Sequence, residues 1–143
     1  MTPAQVQLVQ ESFKKVVPIA AQAADLFYDR LFTIAPELRR LFPQDLSQQK
    51  KKLMQMLATA VVNLHQLQKI LPAVQALGLR HAGYGVTDKH YEIVGEALLW
   101  TLEQGLGPDF TPSVRKAWTE TYLTIAGVMT NAAASAVVSE AAE

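Results

Sequence analysis

Residues 71–95 read LPAVQALGLRHAGYGVTDKHYEIVG, and the spacing of their apolar side chains decides the fold class. Leu71, Val74, Leu77 and His81 recur at steps of three and four, the period of one helix face, before Gly83 and Gly85 stop the helix. Thr87 and Asp88 open the next helix, which carries Tyr91, Val94, Leu98 and Leu102 on its apolar side. A histidine therefore faces inward near the end of one helix, just before another begins.

The same period extends in both directions. Towards the N-terminus, Ser47 is placed to cap a helix whose inner face runs through Gln49, Leu53, Met56, Ala60 and Leu64, so one polar residue stands in an apolar stripe. Before it, the break at Pro36 leads through Leu38 and Leu41 to a corner at Phe42 and Pro43. A second helix starts at Pro18 and aligns Ala24, Phe27, Tyr28 and Leu31; a first is opened by Thr2 and Gln5 as a capping box around Pro3, with Val6, Val9, Phe13 and Val16 on one face. Towards the C-terminus, Thr111 and Pro112 open a sixth helix carrying Val114, Trp118, Tyr122, Ile125 and Met129, after glycines at 105 and 107. The Ala-rich residues 132–143 read as a frayed tail. No alternating run of β-branched residues predicts a strand. The expectation is an all-α fold of about six main helices plus short turns, one domain over residues 1–143 with a core at about 3–131.

Composition removes several classes of function. The 13 basic and 13 acidic residues cancel, so no net field draws the chain to nucleic acid or to an anionic membrane. No run reaches the roughly 18 uncharged residues of a membrane helix, and the N-terminus lacks a basic-then-apolar signal pattern, which predicts a soluble cytoplasmic protein. Without cysteine there is no disulfide, thiolate nucleophile, iron–sulfur cluster or Cys-ligated zinc. There is also no Gly-rich phosphate loop, no His-Glu-x-x-His, and no serine beside a histidine and a carboxylate. His65 and His90 fall near helix ends and read as surface residues, which leaves His81. A lone histidine on an apolar face is more often a hydrogen-bonded core residue than a ligand, but a haem iron, already held by four porphyrin nitrogens, needs only one imidazole from the protein.

The sequence Leu77, Gly78, Leu79, Arg80, His81, followed by Tyr84, Gly85, Val86 and by Tyr91, Val94, Gly95, resembles the proximal half of a globin. The resemblance runs from about Val6 to Met129 and is greatest to bacterial single-domain globins and the haem domain of flavohaemoglobins, with some likeness to neuroglobin-like globins. It implies helices crossing at about 50° and one haem b between the third and fourth main helices, with His81 as its iron ligand. Phe42 matches the corner residue that globins wedge against the porphyrin. Thirty-two residues before His81, the distal position falls on Gln49. Tyr28 matches the tyrosine that bacterial globins aim at the ligand.

A phenol O–H and an amide N–H favour oxygen, which takes charge from iron, over carbon monoxide. At about 1.5 kcal/mol per bond, the pair slows oxygen release by roughly a hundredfold. The resemblance thus implies tight, slowly reversible binding of oxygen or a related diatomic gas. Leu53, Leu77, Val86 and Val94 would wall the cofactor, and Lys52 and Arg80 could reach its propionates. Tyr91 matches the tyrosine beside the proximal histidine of flavohaemoglobins, but the glutamate that completes their network is replaced by Ala133. An alternative is nitric oxide dioxygenase or peroxidase-like chemistry; it calls for a separate reductase, since no reductase can be read in the 14 residues after Met129. A helical sensor or adaptor without haem is a third reading. The visible colour of the protein separates it from the other two.

Overall fold

The structure is a computed structural model that describes the backbone of residues 1–142 and the side chains of residues 1–134. Its elements are α1 (Pro3–Val16), α2 (Ala20–Ile34), α3 (Ser47–Val62), α4 (Leu71–Gly83), α5 (Asp88–Leu106) and α6 (Pro112–Ala142), with short 3-10 helices at Val17–Ile19, Pro36–Leu41, Leu64–Lys69 and Gly107–Asp109. No strand occurs among the described residues.

Local chemistry sets most of the boundaries. Thr2 and Gln5 form the reciprocal capping box at α1, with Pro3 in the first turn. The Thr111 hydroxyl accepts from the Val114 amide at the start of α6. Between α4 and α5 the chain reverses at Gly85, whose φ of 86° is costly for any side-chain-bearing residue. Three boundaries differ from expectation. Around Pro18 the chain makes a 3-10 turn and α2 begins at Ala20. The N-cap of α3 is Leu46 rather than Ser47 and makes no side-chain cap bond; the carboxylate of Asp45 just before it accepts through Oδ1 from the Ser47 amide at 2.9 Å and the Ser47 hydroxyl at 2.6 Å, and its charge suits the positive helix end. The Ala-rich tract expected to fray belongs to α6 as far as Ala142, alanine having the highest intrinsic helix propensity; Glu143 lies outside the described residues.

Helix α1 packs on α6, α2 on α5, and α4 along α6. Between them Val9, Phe13, Val16, Phe27, Leu31, Leu98, Leu102 and Trp118 form the core. The faces expected for α1 and α2 are the buried ones, whereas on α3 Met56 is 40% exposed and Leu64 is buried but belongs to the following 3-10 helix. The chain bends there at Asn63, which shifts Leu64 off the register of a continuous helix. The core holds one long-range polar clamp. Trp118 Nε1 donates to Ser12 Oγ at 2.8 Å, and that hydroxyl donates to the Leu8 and Val9 carbonyls of its own helix.

Helices α3 and α4 hardly touch one another. Gly78 is the one fully buried residue of α4, because that face meets α6; its apolar Leu71, Val74 and Leu77 remain half-buried, as do Leu53, Met54 and Leu57 of α3. Two apolar helix faces thus lack the burial such side chains normally find.

Candidate cofactor site

His81 stands on α4 one turn beyond Leu77, and its Nδ1 lies 2.8 Å from the Leu77 carbonyl oxygen. A carbonyl can only accept, so Nδ1 carries the proton and Nε2 keeps its lone pair. Burial lowers the imidazole's pKa; the Leu77 carbonyl works the other way, and the charge of Arg80 adds to the lowering. The ring is thereby held neutral, in the tautomer a metal requires.

Tyr28 is 3% exposed on α2. Burial raises the pKa of its phenol, and Gln49 at the start of α3 offsets part of that rise as a hydrogen-bonding neighbour, without the close geometry of a fully formed bond. The hydroxyl therefore stays protonated, as a donor. Phe42 follows the Pro36–Leu41 helix in extended conformation, and its ring meets that of Tyr28 edge-on, centroids 5.7 Å apart. Tyr28, Gln49 and Phe42, singled out on separate segments, are thus brought together. Leu53, Leu77, Val86 and Val94 are half-buried.

On the other side of His81 the Tyr91 ring is tilted 62° to the imidazole at 6.3 Å. Tyr91 also lines a cleft of about 390 Å³ with Gly78, Ala82, Val86, Thr130 and Ala133. Ala133 lines the same cleft as Tyr91, and the carboxylate there is that of Asp88, whose charge, after burial, raises the Tyr91 pKa. Asp88 had no signal beyond a helix-opening position. Tyr122 was another missed residue. Its hydroxyl donates to the Tyr91 carbonyl at 2.5 Å, and its ring lies where a Cβ on Gly95 would come within 2.8 Å, so it fixes the first turn of α5.

The remaining sequence candidates play no part in this geometry. Lys52 and Arg80 are exposed and absent from the ion pairs of the described residues, while Lys50 pairs with Asp25 at 2.8 Å. His65 is exposed beside Gln66, and His90 Nδ1 accepts from the Thr87 amide as part of the α5 cap. Among the described residues no three His, Cys, Asp or Glu side chains converge as a metal site. A metal at His81 Nε2 would need its other ligands from a cofactor, and a flat apolar macrocycle carrying four nitrogens suits both that need and the half-buried faces of α3 and α4. No helix of the described residues is long and apolar enough to cross a membrane.

The Globin family profile matches residues 25–129. The flavohemoprotein of Bacillus subtilis is 38% identical over 124 residues, 81% of this chain but 31% of its own length, so the chain spans under a third of that relative. An engineered carbene transferase made from a candidate nitric oxide dioxygenase of Rhodothermus marinus superposes with a TM-score of 0.88 at 28% identity, covering 100% of this chain and 99% of its own. A bacterial globin of Campylobacter jejuni gives 0.80 at 26% identity, covering 95% and 99%.

Proposed function

The chain belongs to the globin family, and from that premise we propose that it is a haem protein that binds oxygen, or a related diatomic gas, tightly and reversibly. Haem b, if bound, would be held by His81 and would supply an iron able to take a diatomic gas. The observation that carries the reading is the His81 tautomer: Nδ1 is occupied by the Leu77 carbonyl, which leaves Nε2 as the free ligand atom.

Each of the residues singled out has a task. His81 ligates through Nε2, and the Leu77 carbonyl keeps its ring oriented. Leu53, Leu77, Val86 and Val94 exclude water from the cofactor's faces, and Phe42 packs against its edge. Tyr28 and Gln49 offer an O–H and an N–H to a ligand that gains negative charge, and the buried phenol keeps its proton for that purpose. Lys52 and Arg80 are free to turn towards propionates.

A visible spectrum of the purified protein beside a His81→Ala variant tests the assignment. A Soret band lost or strongly altered in the variant is expected; a wild type that takes up no haem when supplied overturns the reading. Oxygen release in Tyr28→Phe should quicken about tenfold, the effect of losing one hydrogen bond to a charged acceptor.

A second reading, turnover of nitric oxide with a separate reductase, draws support from the name of the Rhodothermus marinus protein that this chain superposes on. Nitric oxide consumption with an added reductase, well above the spontaneous rate, would favour it.

A further inference from the structure

Arg39 lies half-buried in the Pro36–Leu41 helix and makes no ion pair among the described residues. Its guanidinium instead faces the corner that follows. Nη1 donates to the Pro43 carbonyl at 2.8 Å and, at 3.4 Å, to that of Phe42, while Nη2 donates to the Gln44 carbonyl at 2.8 Å. Its carbon centre also lies 5.3 Å from the middle of the Phe32 ring. Phe32 is in turn 5.5 Å from Phe42 and 6.0 Å from Tyr28, ring to ring, so the three aromatics form a triangle with Arg39 at one corner.

We infer that Arg39 is a positioning residue for this pocket: it clasps three consecutive carbonyls to set the course of residues 42–44, and through Phe42 and Phe32 it orients the Tyr28 hydroxyl. The corner needs such a clasp. It has no helix or strand ladder of its own, and Pro43 removes one amide donor. A guanidinium suits the task because it is planar, always charged and carries five donors in a fixed fork, so one group can span adjacent carbonyls while its face rests on an aromatic ring. A lysine ammonium supplies charge without that fork.

The consequence for gas binding rests on the globin-pocket reading, but the clasp itself does not, and the experiment separates the two. In the full chain as purified, hydrogen exchange at the Phe42 amide, which donates to the Arg39 carbonyl at 3.2 Å, should quicken about tenfold or more in Arg39→Met, the factor for losing a hydrogen bond to a charged group, while amides around Trp118 keep their protection. Arg39→Lys should recover part of it. With haem and carbon monoxide bound, the C–O stretch should shift in Arg39→Met as it does in Tyr28→Phe, and the double variant should shift no further. Unchanged corner exchange in a folded Arg39→Met overturns the clasp. Faster exchange with an unmoved C–O stretch overturns the link to Tyr28. A chain that takes up no haem defeats the functional reading, yet its corner exchange still decides on Arg39.

Discussion

The backbone of Gly78 passes so close to that of Met129 that a Cβ on the glycine would stand 2.5 Å from the Met129 carbonyl oxygen. Neither backbone has a flexible end that could move aside. Gly78→Ala must therefore push α4 away from α6, at about 1–3 kcal/mol for overpacking, and carry His81 with it. Gly83→Ala is the control, since nothing lies within 4 Å of a Cβ built there. Urea unfolding should show the loss in the first variant only; equal midpoints for the two would refute the close crossing.

Ser12→Ala removes the acceptor of the Trp118 indole N–H in a site where both residues are buried. The orphaned donor should cost about 1–3 kcal/mol. Trp118→Phe removes the donor as well, so the double variant should lose less than the sum of the two single losses in denaturant titrations. Additive losses would mean that the pair is not coupled.

The Asp45 carboxyl is held below its ordinary pKa by the Ser47 hydroxyl and then the Ser47 amide, with Lys50 helping and a small desolvation opposing. A depressed folded-state value stabilises the fold above the ordinary carboxylate pKa, and that contribution disappears as pH falls through the folded value. Thermal melts of wild type and Asp45→Asn should differ at about pH 6 and converge towards about pH 2.5, a range that brackets the ordinary Asp value. A gap that widens in acid contradicts this sign.

Ala133→Glu would add a carboxylate to the cleft that Tyr91 lines. As an acceptor for the Tyr91 hydroxyl it should make the phenol oxygen more electron-rich beside the His81 ring and strengthen imidazole donation. The expected readout is a rise in the iron–histidine stretching frequency of the haem-loaded protein, absent when Tyr91→Phe is added. No rise in the single variant would show that Tyr91 does not influence His81.

Helix period and capping chemistry made much of this fold legible before any coordinates. The faces of α1 and α2, the Thr2 box and the glycine stop after His81 all depend on residues within a turn or two of each other. Tyr28, Gln49, Phe42 and His81 were singled out together only through likeness to globins, since none carries a distinctive local signal. What escaped depends on approach between distant segments: the Gly78–Met129 crossing, Tyr122 bonding the Tyr91 carbonyl, and Asp88 lining the same cleft as Ala133. Met56 was misplaced because a step of three from Leu53 leads off the inner face, where the step of four to Leu57 stays on it. Arg39 escaped because an arginine in a polar stretch looks like any solvated side chain until its three carbonyl partners are seen.

The clamp between Ser12 and Trp118 spans 106 residues. On a ribosome adding about 5–20 residues per second, the interval between these two side chains is roughly 5 to 20 seconds. During that time α1 exists without the helix whose Trp118 bonds Ser12 and packs on Phe13. Helix α1 thus waits for a large part of its packing, and the nascent chain must keep that apolar face from other partners until α6 emerges.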